Sequence, residues 1–225
     1  MDTAQRGMGL DWPAALELSQ RSMSNANAFG QNALIACGAG TEHVSPDDAI
    51  TIDDIIAAYE MQCAAIEDAG GRVILMASRA LAAVAAGPQD YARVYDRILS
   101  QLRQPAILHW LGDMFDPALR GYWGEQDDDA AMAVAVDIIA RNQANVDGIK
   151  ISLLSADKEV AMRRQLPDSV RMYTGDDFNY PQLIAGDEHG FSHALLGIFA
   201  AIAPAASAAL KALHEDKLDL YHEIL

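Results

Sequence analysis

A lysine stands in the middle of an apolar run, Val146-Asp147-Gly148-Ile149-Lys150-Ile151-Ser152-Leu153-Leu154. Extended backbone sends successive side chains to opposite faces. Ile149, Ile151 and Leu153 therefore share one side of a strand, and Gly148, Lys150 and Ser152 share the other. An apolar face beside a glycine-lysine-serine face suits a barrel strand, greasy against outer helices and polar toward the mouth. A lysine held there loses solvation, which lowers its pKa, and a neutral amine attacks carbonyl carbon to form a Schiff base. The structural alternative for Lys150 is an ion pair with Asp147.

Other reactive side chains fall near the ends of other apolar runs: Thr41, Glu42, Ser78, Arg79, His109, Thr174, Asp176 and Asp177. His109 is a proton carrier near neutral pH, or a satisfied core histidine. Tyr173 is a second candidate; by alternation it shares a face with Gly175, while Val170, Met172 and Thr174 take the other. Arg79 suits a substrate carboxylate or phosphate as a bidentate fork, or an ion pair with Asp113 or Asp116. Asp176 and Asp177 either cap the helical turn that follows or orient Lys150 or Arg79. His189 and His193 are four apart beside Glu188, but Gly190 lies between them in a strand-or-turn pattern, which argues against zinc.

The elements that must position these groups alternate between strand and helix. Strands are expected at 33–39, 72–78, 105–110, 146–154, 170–175 and 190–193. Helices are expected at 13–29, from Thr51 to the Gly70-Gly71 pair, at 88–102, 127–141, 157–165 and 179–185. A final helical stretch from Ala194 to Leu225 breaks at Pro204. Ile55, Ile56, Tyr59, Cys63 and Ile66 form one buried stripe, and Tyr91, Val94, Tyr95, Ile98 and Leu102 another. Six strands each followed by helix mean a parallel sheet covered by helices. No glycine-rich dinucleotide fingerprint follows a strand, and polar residues cluster at nearly every strand's C-terminal end. That favours a (β/α)₈ barrel in a single α/β domain over an open doubly wound sheet.

Composition narrows the function. The chain has 225 residues, 51% hydrophobic, with 32 acidic against 16 basic side chains and a net charge of −16. Nucleic-acid binding is disfavoured, because phosphate contacts need clustered Lys and Arg. Cys37 and Cys63 sit in apolar stretches and read as reduced core thiols of a cytoplasmic protein. The apolar region from Ala194 to Leu213 is interrupted by Gly197, Pro204, Ser207 and Lys211, so no membrane span is expected.

Four segments carry a family likeness: Arg72-Val-Ile-Leu-Met-Ala-Ser-Arg-Ala-Leu81, Ile107-Leu-His-Trp-Leu-Gly112, Asp147-Gly-Ile-Lys-Ile-Ser-Leu153 and Arg171-Met-Tyr-Thr-Gly-Asp-Asp-Phe-Asn-Tyr180. Through them the chain resembles a bacterial family of uncharacterised dihydrodipicolinate-synthase-like proteins. That family falls within the Schiff-base aldolase superfamily of dihydrodipicolinate synthase and N-acetylneuraminate lyase. The resemblance implies a (β/α)₈ TIM barrel with Lys150 on its sixth strand as the imine former. It also implies that the chain is a fragment of about six βα units, lacking the first strands and the C-terminal tail. Such a fragment would leave an unpaired sheet edge and associate with copies of itself. Where the superfamily places a proton-relay tyrosine this sequence has His109, and its carboxylate-binding threonine pair is not evident, only Thr3 standing near that place.

The expected activity is a cofactor-free lyase or aldolase acting on a small carbonyl compound, a keto acid or keto sugar. Lys150, His109 and Tyr173 are its catalytic candidates; Arg79, Thr41, Ser152, Gly175, Asp176 and Asp177 are its substrate-binding candidates. No metal, nucleic acid or membrane is expected, and a homo-oligomer is. The alternatives are a metal-assisted isomerase or hydrolase using His109, Asp113, Asp176, Glu188 and His189, and a non-catalytic metabolite-binding barrel.

Overall fold

Each apolar run long enough for a strand but too short for a helix becomes a strand, and each amphipathic run folds back over it. The computed structural model describes residues 9–28, 34–45 and 50–225. Thr3, and the start of the first expected strand, lie outside the described residues. In chain order the elements are α1 (Trp12–Ala28), β1 (Ala36–Ala39), α2 (Ile52–Asp68), β2 (Arg72–Leu75), α3 (Arg79–Val84), α4 (Pro88–Leu99), β3 (Ala106–Leu111), α5 (Asp128–Arg141), β4 (Val146–Ser152), α6 (Ala156–Arg163), β5 (Arg171–Thr174), α7 (Tyr180–Ala185), β6 (His193–Ala194), α8 (Ile198–Ala201), α9 (Ala203–His214) and α10 (Leu218–Ile224). All strand pairs are parallel and the sheet order is β1-β2-β3-β4-β5-β6. This is a parallel α/β sheet wound as part of a TIM barrel.

Local chemistry sets the helix starts. Thr51 caps α2 in a reciprocal box, its hydroxyl accepting from the Asp54 N–H while the Asp54 carboxylate accepts from the Thr51 N–H. Asp127 caps α5, with Asp128 and Asp129 in the first turn and Arg141 in the last, both favourable to the helix dipole. The expected second strand is shorter than the pattern suggests. It stops at Leu75 because the Ser78 hydroxyl accepts from the Leu81 N–H and starts α3. The tail breaks at Ile202, and Pro204 sits in the first turn of α9.

The core has two sides. The outer face of the sheet (Cys37, Val73, Leu75, Leu108, Trp110, Ile149, Ile151, Met172) packs against the stripes of α2, α4 and α5. Trp123, fully buried, stacks among Tyr91, Tyr95, Tyr122 and Trp110 in this layer. The inner face holds a small apolar group, Ile74, Met76 and Ile107. Cys37 and Cys63 are buried free thiols, and burial pushes Cys63 up to about 12. Among the described residues no helix is long and apolar enough to cross a membrane.

One irregularity matters. Ala106 pairs with Val146 but Ile107 pairs with Gly148, so Asp147 is the extra residue of a bulge. Strict alternation would send Asp147 outward with Ile149. The bulge instead brings it to Arg72 and Arg171, residues of the inner face. Its Oδ1 accepts from Arg72 Nη1 at 3.0 Å and Arg171 Nη1 at 2.5 Å, and its Oδ2 accepts from the Tyr173 hydroxyl at 2.5 Å. Gly148 makes this possible, since a Cβ there would sit 2.4 Å from the Arg171 carbonyl and 2.5 Å from the Tyr173 ring. Asp147 thus ties β2, β4 and β5 together. We predict that Asp147→Ala lowers the unfolding free energy by about 2–3 kcal/mol, because Tyr173 and the half-covered Arg72 lose their acceptor. Urea melts of the variant against the parent chain measure this.

Candidate active site

Parallel register aligns the reactive residues. On the inner face His109 of β3 lies beside Lys150 of β4, Lys150 beside Tyr173 of β5, and Tyr173 beside His193 of β6. Adjacent strands are about 4.8 Å apart, so the four side chains form one continuous row. One pleat toward the C-terminal end, Ser152 is buried on the same face, its Oγ 3.2 Å from His109 Nε2. Lys150 itself is half-buried.

Gly175, just past β5, closes the row. Its N–H donates to the Ile151 carbonyl at 2.9 Å. A Cβ built on it would stand 2.2 Å from Ser152 Oγ, 2.6 Å from Lys150 Cε and 2.7 Å from the Ile151 carbonyl. The missing side chain is what lets the lysine and serine occupy that space.

His109 is 1% exposed, and burial, with the charge of Lys150 beside it, holds it well below the usual histidine range. It is a neutral imidazole at physiological pH, and Nδ1 has no hydrogen-bond partner among the described residues. Tyr173 gives its hydroxyl to Asp147, on the N-terminal side of Lys150. Burial and that carboxylate push the phenol up to about 12, so it stays protonated. Its ring stacks on His193 at 5.5 Å, and burial lowers His193 as well.

The remaining expected residues divide. Arg79 pairs with Asp116 at 2.5 Å with its side chain half exposed. Thr41 is buried at 2.6 Å from the Ser78 hydroxyl, and the Ser78 N–H donates to the Tyr122 hydroxyl at 3.0 Å. Asp176 caps the turn before α7, Oδ1 accepting from the N–H groups of Phe178 and Asn179 and Oδ2 from the Asn179 amide. Asp177 is exposed. His189 is exposed and pairs with Glu188 at 3.3 Å. Among the described residues no three His, Cys, Asp or Glu side chains are grouped to hold a metal, so His109, Asp113, Asp176, Glu188 and His189 do not converge. A cavity of about 290 Å³ lies past β3 and β4, lined by Trp110, Asp113, Arg120, Tyr122 and Glu125; neither Lys150 nor His109 lines it.

Two residues escape a reading by strict alternation and strand ends. One is Asp147, hidden by the bulge. The other is Glu159 of α6, 1% exposed, close to Thr174 and Ser192, with its Oε1 unpartnered among the described residues. Its three-residue spacing from buried Met162 is the signal that puts it on the covered face. Burial lifts Glu159 to about 7; the bonds to Ser192 and Thr174 offset part of this, Asp176 adds to it and Arg163 opposes it.

Two outcomes follow. Gly175→Ala destabilises the fold by about 1–3 kcal/mol through overpacking and displaces Lys150, measurable by urea melts and by the rate of amine modification at Lys150. For Glu159, the folded pKa stands above the free carboxyl value of 4.5. Its contribution is therefore fully present below 4.5 and is lost as pH rises through about 7. Glu159→Gln removes that loss, so the stability gap between variant and parent widens by up to about 3 kcal/mol from acid to alkaline pH. Parallel melts across that range give the curve.

Comparison with known proteins places the chain. A family model described as protein of unknown function (DUF993) matches residues 1–225. A search of curated proteins finds no match. Among solved structures, dihydrodipicolinate synthase from Aquifex aeolicus superposes with a TM-score of 0.70 at 11% identity, over 99% of this chain and 65% of that one. The synthase from Bacillus anthracis gives 0.69 at 12% identity, over 99% and 65%. The synthase from Oceanobacillus iheyensis gives 0.64 at 16%, over 96% and 61%. The chain thus spans under two thirds of the length of these structures. Its fold is that of dihydrodipicolinate synthase, and the chain belongs to the family described as protein of unknown function (DUF993).

Proposed function

We propose that this protein is a dihydrodipicolinate-synthase-like lyase or aldolase that binds a keto acid or keto sugar as a Schiff base on Lys150. The observation that carries the reading is the position of Lys150, half-buried on the inner face of a parallel barrel sheet, between His109 and Tyr173 and packed at Gly175. In barrels of this kind the chemistry belongs at the C-terminal ends of the strands, and Ser152 and Gly175 mark that end.

In this reading the amine of Lys150 adds to the substrate carbonyl, and loss of water gives an imine. The iminium then accepts the electron pair of an adjacent carbon–carbon or carbon–hydrogen bond as it breaks. Arg79, half exposed and paired through Nε with Asp116, keeps the rest of its guanidinium as a candidate for an anionic group on the substrate. Tyr173, its phenol kept protonated and hydrogen-bonded to Asp147, stands next to Lys150 in the row.

The test is reductive trapping. Incubation with pyruvate, other 2-keto acids and ketoses in cyanoborohydride should give a mass increment on Lys150 with at least one of them. Lys150→Ala should abolish both the increment and turnover of that compound. Turnover that survives in Lys150→Ala would overturn the reading.

A further inference from the structure

The Schiff-base reading needs a group that moves a proton from nitrogen to oxygen as the amine adds to the carbonyl. His109 occupies the obvious place, but it is buried, neutral and next to a cation. The geometry around it assigns the task elsewhere. We propose that Ser152 is the proton carrier for imine formation at Lys150, and that His109 is a positioning residue that holds Ser152 as a fixed N–H donor.

Two observations carry this, resting on the reading of Lys150 above. The first is proximity: Ser152 Oγ and Lys150 Cε both lie within 2.6 Å of the single point where a Gly175 Cβ would stand. The hydroxyl therefore flanks the end of the lysine side chain, where a bound carbonyl must sit. The second is the tautomer of His109. A neutral imidazole has one N–H, and here Nε2 faces Ser152 Oγ while Nδ1 is buried with no protein partner among the described residues. Burying an orphaned N–H is rarer and costlier than burying an orphaned lone pair. The proton therefore belongs on Nε2, which donates to Ser152 Oγ. The serine hydroxyl proton is then directed away from His109, toward the lysine and its substrate.

The step balances. Lys150 first loses its ammonium proton to solvent; the freed nitrogen lone pair then forms the N–C bond, and the carbonyl π pair moves onto oxygen. Ser152 passes its hydroxyl proton to that oxygen and takes one from the new ammonium nitrogen, ending as it began. The His109 N–H steadies the negative charge that builds on Oγ during the exchange. Histidine supplies a dipole and never changes charge.

Two measurements test this. In protein labelled with ¹⁵N-histidine, His109 should be the neutral Nε2–H tautomer at both about pH 7.5 and about pH 5, where an ordinary histidine is an imidazolium. An Nδ1–H tautomer, or a transition near the ordinary value, would overturn the assignment whether or not Lys150 forms an imine. In the trapping assay, with whichever keto acid or ketose labels the parent chain, Ser152→Ala should slow adduct formation by about a hundredfold, with unchanged melting. His109→Leu should lose a similar factor, and His109→Gln, which restores a neutral N–H donor, should recover the rate to within about fivefold. Labelling of the parent chain with equal rates in Ser152→Ala sinks this inference alone; no labelling of the parent chain by any compound sinks the Schiff-base reading and the serine's role with it.

Discussion

The close approach of β5 to β4 at Gly175 is the constraint on which the site depends. Lys150, Ser152 and the Ile151 carbonyl all converge on the place where any other residue would put a side chain. Glycine there removes the one obstacle to packing an amine and a hydroxyl side by side on the inner face. Register does the rest: parallel pairing sets His109, Lys150 and Tyr173 in line, and a one-residue slip would turn the whole set toward the helices.

The charges are sorted along the barrel axis. Asp147, delivered inward by the bulge, gathers Arg72, Arg171 and Tyr173 on the N-terminal side of the lysine. On the outer side of β5, Glu159 meets Thr174, Ser192 and Asp176, and sits close to its own titration range at neutral pH. Between these layers the His109–Ser152 pair is neutral. Lys150 stands beside that neutral pair, half-buried on the inner face.

Much of this was legible in the chain. The alternation in 146–154 separates the apolar face from Gly148, Lys150 and Ser152, and the structure keeps that separation because the outer face packs against the apolar stripes of α2, α4 and α5. Thr51, Asp127 and the stripe 91–98 announced their helices through caps and 3.6-residue spacing. What the chain did not announce is partners distant in sequence: of the two readings open for Arg79 its pairing is with Asp116, Thr41 meets Ser78, and Asp147 gathers two arginines from other strands.

The sequence by itself determined the parallel α/β architecture and the face on which Lys150 lies. These follow from periodicities of two and 3.6 residues that act within one element. Only the tertiary structure decided that His109 is neutral, that Tyr173 is bound to Asp147 and that Gly175 makes room for Lys150. Each of those depends on burial and on partners on other strands, and the energy of a charge or a proton is set by what surrounds it in space, which no local pattern records.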